Sequence, residues 1–208
     1  MRHGWMVVLA LGVAAGLWAP AAAVAQTGSV GTAGAGTLVV KALAEKKVDK
    51  LPPGPLFWRV ENFPTLAQAK AASGPMSLAT EWEGKAWLFT LGPANGAPTG
   101  GAKLAEIGPL PAMSAPQYLL RVNAASGPPG SVTPVHSHPG SEAVYVLAGE
   151  ESFKTPHGVK RIGAGDFAAG HGADTPMQAS SSGSADLKAL IMFVVDATKP
   201  FSRPETMR

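Results

Sequence analysis

In the second half of the chain, apolar residues come in short runs separated by Gly, Pro and Asp. Helical periodicity, in which apolar residues recur every three or four positions, is absent from this half. Runs of this kind predict β-strands, here at Lys103–Ile107, Gln117–Asn123, Ala143–Ala148, Ser152–Thr155, Val159–Ile162 and Leu187–Val195. The last run is almost continuously apolar, which predicts a buried strand. Short strands between Gly and Pro turns are typical of a β-barrel or β-sandwich.

The segment 38–116 has a more mixed pattern. Leu56–Val60 is apolar and aromatic, and Pro64–Ser73 has a proline in its first turn and a glycine after its end, which predicts a short helix. Ser77–Leu91 predicts a hairpin with its turn at Glu83–Lys85. We therefore expect extra strands and one helix before the main β domain.

The N-terminus has the pattern of a secretory signal peptide. Arg2 gives a basic start, Trp5–Trp18 is apolar, and Ala23–Ala25 supplies small residues at the cleavage positions. We expect cleavage after Ala25 and a periplasmic or secreted protein. No stretch approaches the roughly 20 apolar residues of a membrane-spanning helix, so no membrane span is expected.

These patterns divide the chain into five segments. They are a signal peptide at 1–25, a flexible Gly/Ala-rich leader at 26–37, an N-terminal extension packed on the barrel at 38–116, the main domain at 117–198 and a C-terminal tail at 199–208.

Composition narrows the functions that this chain can have. Lys and Arg number 17 against 14 Asp and Glu, a net charge of +3. The charges are dispersed, so we expect no nucleic-acid partner and no anionic membrane partner. The chain has no cysteine, which excludes disulfides and thiolate metal sites.

Three side chains that can bind a metal lie within seven residues of one another. His136 and His138 stand two apart, so on an extended strand both imidazoles project from the same face. Glu142 can fold back to them after the turn at Pro139–Ser141. Two imidazoles and one carboxylate hold a divalent first-row metal on one side and leave its other positions open. The sequence therefore predicts a metal site.

The spacing of these residues resembles, without a gap, the first conserved motif of the cupin superfamily, at Gly130, His136, His138, Glu142 and Gly149. The resemblance covers about residues 121–196. It implies a small single-domain cupin of the type-2 kind: an all-β, jelly-roll β-barrel with extra N-terminal strands and one short helix. Because cupins often pair through their sheets, a homodimer is also expected.

The second motif of the family is degraded in this chain. With a one-residue insertion after Gly165, Met177 stands where the family has a further histidine ligand. A thioether is a poor ligand for a hard cation and favours Cu(I) or no metal. His171 or Gln178 could take that place, and the alternative for Met177 is a core filler.

The residues leave three functions open. The first is an enzyme, such as a metal-dependent oxygenase, with one divalent ion (Mn, Fe, Ni, Cu or Zn) and a small-molecule substrate. The second is a non-catalytic cupin that binds a small molecule or a sugar with little or no metal. The third is a secreted interaction protein with its partner surface in residues 38–116. No general base is evident, because we expect the remaining acids near the motifs to be solvated, namely Glu150, Glu151, Asp166 and Asp174.

Overall fold

The computed structural model of this protein describes residues 36–207. The predicted signal peptide, and all but the last two residues of the predicted leader, lie outside that range. Within it the chain forms one helix and fourteen strands: β1 Val39–Val48, β2 Phe57–Phe63, α1 Leu66–Ala71, β3 Ser77–Trp82, β4 Lys85–Gly92, β5 Ala102–Ile107, β6 Tyr118–Gly127, β7 His136–Ser137, β8 Gly140–Ala148, β9 Glu150–Thr155, β10 Gly158–Gly163, β11 Phe167–Ala169, β12 Gln178–Ser181, β13 Leu187–Asp196 and β14 Arg203–Pro204.

The predicted all-β fold is confirmed. Five strands form one antiparallel sheet in the order β1-β6-β13-β8-β11, and three form a second sheet in the order β10-β9-β12. The two sheets share an apolar cluster to which Phe153 and Ala179 contribute from one side and Val144 and Ile191 from the other. We call these two sheets and the space between them the barrel.

Strand β13 lies between two apolar clusters and contributes side chains to both. Its residues alternate between two apolar clusters. Leu190, Met192 and Val194 pack into the first cluster, while Ile191 and Phe193 pack into the second, inside the barrel. A strand buried on both faces reads as a continuous apolar run, as the sequence of Leu187–Val195 predicts.

The other apolar cluster lies between the five-stranded sheet and a four-stranded sheet of order β3-β4-β2-β5. Trp58 and Trp87 from the four-stranded sheet are at most 1% exposed. The predicted hairpin is β3 and β4, and its turn has positive φ at Glu83 and Gly84, as a tight hairpin requires. The four-stranded sheet therefore packs on the outer face of the barrel, and other residues form the barrel interior.

The helix is shorter than the sequence predicts. It runs from Leu66 to Ala71 rather than over the whole of Pro64–Ser73, because Thr65 caps it by accepting a hydrogen bond from the Gln68 amide. No helix among residues 36–207 is both long and apolar enough to cross a membrane.

Candidate functional site

The two motif histidines lie side by side at one end of the barrel. His136 lies on β7 and His138 follows directly after it, with the imidazole ring centres 4.9 Å apart. Glu142 lies on β8, after the turn that begins at Pro139. All three side chains line one cavity of about 500 Å³, whose remaining wall is largely apolar.

Both histidines are held by backbone carbonyls. Nδ1 of His136 lies 2.9 Å from the Pro134 carbonyl oxygen, and Nδ1 of His138 lies 2.7 Å from the Phe201 carbonyl oxygen. A carbonyl oxygen only accepts hydrogen bonds, so each Nδ1 carries the proton. The lone pair of each neutral ring is then on Nε2. This is the tautomer found in metal-binding histidines, which donate their other N–H to a carbonyl or carboxylate.

The surroundings of His138 favour its neutral form. Burial lowers the pKa of His138 from 6.5 to about 4, against the opposing effect of the Phe201 carbonyl. Positive charge on His136 and Arg121 lowers it further. The ring also packs 4.8 Å from Phe193 and 4.7 Å from Phe201, measured between ring centres. At neutral pH the imidazole is therefore uncharged and available as a ligand.

Glu142 is a buried carboxyl group without a hydrogen-bond partner on Oε1 in the described part of the chain. It is 5% exposed, and burial raises its pKa to about 8. A glycine makes room for it. A Cβ atom on Gly170 would lie 2.6 Å from Glu142 Cγ, and the Gly170 amide donates to the Glu142 carbonyl at 2.8 Å.

The three side chains share the cavity but do not form a ready ligand group. Across residues 36–207, no three His, Asp or Glu side chains are placed so that they could hold one metal ion. The two imidazoles are adjacent, and Oε1 of Glu142 lies toward Gly170, 3.2 Å from where a Cβ atom on that glycine would be. The structure thus provides a pair of nitrogen ligands and a nearby, unpartnered carboxyl group.

Comparisons with known proteins found similar solved structures only. No family model matches the sequence, and no curated protein matches it. Solved structures do match. A cupin superfamily protein from Desulfitobacterium hafniense is 16% identical over 37% of this chain and 68% of its own, with a TM-score of 0.34. A double-stranded β-helix protein from Klebsiella pneumoniae is 25% identical over 42% and 76%, with a TM-score of 0.36.

The solved structures that this chain resembles thus include cupin-type proteins. A further match is a DMSP lyase from Ruegeria pomeroyi, 27% identical over 42% of this chain and 45% of the lyase, with a TM-score of 0.35. The chain also spans less than two thirds of the length of several other matched structures. Since these TM-scores are all below 0.5, the activities of these proteins are not transferred to this chain.

The residues of the degraded second cupin motif have different surroundings. Met177 lies opposite His136, with backbone hydrogen bonds of 2.8 and 2.9 Å between them. It is 2% exposed and belongs to the apolar cluster inside the barrel, at the wall of the cavity. Gln178 donates from Nε2 to the Thr133 carbonyl at 3.0 Å, so its amide has a structural partner.

His171 approaches Glu142 from the other side. Both residues line a small separate pocket together with Lys160. Burial, followed by the charges of Lys160 and His157, lowers the pKa of His171. His171 therefore lies near Glu142 and is not among the residues that line the cavity of the two motif histidines.

The expectation that Glu151 is solvated is wrong. Asp166 and Asp174 are exposed, as expected. Glu151 is 0% exposed, both of its carboxyl oxygens lack a hydrogen-bond partner in the described chain, and burial together with the charge of Glu142 raises its pKa to about 8. The signal was in the sequence. Glu151 stands two residues before Phe153 on β9, and alternation along a strand places both inside the barrel.

Two residues of the site, Phe201 and Arg121, belong to neither motif and were not predicted from the sequence. Phe201 belongs to the predicted C-terminal tail, yet its carbonyl fixes the His138 tautomer and its ring packs against His138. Arg121 on β6 lines the cavity, with its guanidinium carbon 4.2 Å from the centre of the Phe201 ring. Neither could be found from local sequence, because both reach the site through long-range packing.

Proposed function

We propose that this protein is an exported cupin that binds one divalent metal ion through His136, His138 and Glu142 and acts on a small organic molecule. The observation that carries this proposal is the pair of imidazoles, each with Nδ1 hydrogen-bonded to a carbonyl and Nε2 left to bind a metal. Histidines that bind a metal almost always donate their other ring N–H to a carbonyl, a carboxylate or water.

The buried carboxyl group of Glu142 supports the same proposal. An unpartnered carboxylate in an apolar site is costly, and a nearby cation offsets that cost by stabilising the charged form. Since the three ligands are not grouped in the structure, binding requires the Glu142 carboxylate to turn from Gly170 toward the imidazoles.

The donor set does not select one metal. Two imidazoles and a carboxylate suit Mn, Fe, Ni, Cu and Zn, whose affinities follow a general series. When bound, such an ion supplies Lewis-acid chemistry or, if it is redox-active, oxygen chemistry. The chain itself contributes two imidazoles with Nε2 free of the carbonyl contacts, a largely apolar cavity and the thioether of Met177 beside His136.

A second candidate function is a metal-free cupin that binds a small molecule. The observation in its favour is that residues 36–207 hold no preformed group of three ligands. Such a protein would be stabilised by its organic ligand with no metal present. For the third alternative, the interaction protein, Trp58 and Trp87 are buried and Trp82 is partly buried against the same core, so these three tryptophans do not form an exposed surface.

Equilibrium dialysis of the metal-stripped protein against Mn(II), Ni(II) and Zn(II) tests the proposal. We expect one site per chain, with affinity at least about tenfold weaker in His136→Ala and in Glu142→Gln because each loses a ligand. His157→Ala, at an exposed hairpin turn, is the matched control and should bind as the wild type does. Equal affinity in all four proteins would reject the proposed ligands.

Export is also part of the proposal, and it rests on the pattern of residues 1–25 alone. N-terminal sequencing of the protein from the periplasmic or culture fraction should begin at Gln26. A chain that begins at Met1 and stays with the cells would contradict it.

A further inference from the structure

Arg121 is the one residue with a fixed positive charge among the described residues that line the cavity. It lies on β6, with Phe193 of β13 as its neighbour on one side and Glu45 of β1 on the other. His138, Phe193 and Phe201 pack on the same side of the sheet and line the same cavity. The guanidinium therefore belongs to the wall of the site that holds the motif histidines.

The guanidinium group is held in place. Nε donates to Oδ1 of Asn123 at 2.8 Å, and Asn123 is itself 2% exposed. The guanidinium carbon lies over the Phe201 ring, 4.2 Å from its centre. A guanidinium fixed by a buried amide and by an aromatic ring loses little freedom when it binds a ligand, and so it is prepared for a planar anion.

Its present charge partner is weak. Nη1 lies 3.4 Å from Oε2 of Glu45, whose side chain is 56% exposed. Ion pairs of this kind contribute little because water and salt screen them. Among residues 36–207, Nη2 of Arg121 makes no hydrogen bond. The group therefore retains donors for a ligand, and an anion can displace the Glu45 carboxylate into solvent.

The rest of the cavity sets the character of such a ligand. Its walls include Val40, Phe153, Met177 and Ile191, and the guanidinium of Arg121 is the only fixed cation among the described residues that line it. A single cation matches a monoanion, while apolar walls match an apolar body. Arg121 and His138 both pack against the Phe201 ring, so one small molecule can reach both.

We propose that the cavity binds a small organic monocarboxylate, with its carboxylate on Arg121 and its apolar body against the barrel wall beside His136 and His138. This inference rests on the proposed function in naming its substrate class. The carboxylate itself is recognised by Arg121 whether or not a metal is present.

Isothermal titration calorimetry with matched pairs of probes tests this. Benzoate is compared with benzamide, and butyrate with butyramide, on the metal-free and on the metal-loaded protein. Each pair has the same size and differs in charge. We expect the carboxylates to bind about tenfold or more tightly than the amides, since hydrogen bonds to a charged group are worth that much.

Variants assign the effect to Arg121. Arg121→Met should lose at least about tenfold in affinity for the carboxylates and nothing for the amides. Arg121→Lys keeps the positive charge but lacks the planar guanidinium, so its affinity for the carboxylates should lie between those of the wild type and Arg121→Met. It provides a second test if Arg121→Met does not fold. Lys47→Met removes an exposed positive charge elsewhere and should bind as the wild type does.

The outcomes separate this inference from the metal proposal. Amides that bind as well as carboxylates, no carboxylate binding at all, or full carboxylate affinity in Arg121→Met would each overturn the inference, even with metal bound. Carboxylate binding that depends on Arg121 in a protein that takes up no metal would support the inference and reject the metal site.

Discussion

At the scale of single residues, the buried carboxyl group of Glu151 makes stability depend on pH. It is fully buried, has no hydrogen-bond partner for its carboxyl oxygens within residues 36–207, and lies near the carboxyl group of Glu142, whose negative charge would raise its pKa. Its pKa is raised from 4.5 to about 8. The folded protein therefore keeps a proton on Glu151 at pH values where the unfolded chain has lost it.

The sign of the effect follows from proton linkage. The contribution of Glu151 to the free energy of unfolding is fully present below pH 4.5 and is lost as the pH rises to about 8. In urea unfolding of metal-free protein between pH 5 and 8, Glu151→Gln should flatten the decline by up to about 1.4 kcal/mol per pH unit. Glu142 has a raised pKa as well and is present in both proteins, so some decline remains.

Glu81→Gln, at an exposed position of β3, is the control and should leave the curve unchanged. If the wild type and Glu151→Gln give parallel curves, Glu151 is not a buried neutral carboxyl group.

At the scale of elements, the C-terminal segment completes the site. Strand β14 pairs with β7, which carries His136, and the Phe201 carbonyl just before β14 holds His138. Ser137 between the two histidines donates to Glu205 at 3.0 Å. The segment therefore fixes the histidine pair at its end of the barrel.

Two variants separate the backbone of this segment from its side chain. Removal of residues 200–208 takes away the carbonyl acceptor of His138 and should weaken metal binding about tenfold or more, which is typical for the loss of a hydrogen-bond partner of a ligand. Phe201→Ala keeps the carbonyl and should cost less. Equilibrium dialysis of both proteins measures the difference; equal affinities in the wild type and the truncated protein would show that the carbonyl does not matter.

Some strands could be predicted from the sequence and others could not. Leu187–Val195 and the other five predicted strands of the second half are confirmed, since apolar, β-branched runs are a local signal. Strand β1 was not predicted. Its residues are mostly exposed, and Lys, Glu and Ala give it no apolar face that the sequence could show. Its place at the edge of the barrel sheet comes from pairing with β6, which is distant in sequence.

The residues of the candidate site likewise divide into those that a local motif predicts and those that it does not. The positions of His136, His138 and Glu142 around one cavity follow from a local motif. Arg121, Phe201 and the buried state of Glu151 depend on which strands pair and on where the C-terminal segment returns. Such contacts are set by tertiary packing and leave no local pattern, except for the alternation that connects Glu151 with Phe153.

At the scale of the whole molecule, one sheet separates two cores. The four-stranded sheet with its tryptophans covers the outer face of the barrel sheet, and the inner face is left for the cavity. The homodimer stays a prediction. Strand β1 has no partner on its outer edge among the described strands, and Val39 and Val40 on it are 61% and 45% exposed.

The most direct test of the central claim is elemental analysis of residues 26–208, purified without a metal-affinity tag. The account predicts about one first-row metal ion per chain, lost in a His136→Ala, His138→Ala double variant that remains folded by circular dichroism. No metal in the wild type, or the same metal content in the double variant, would contradict it.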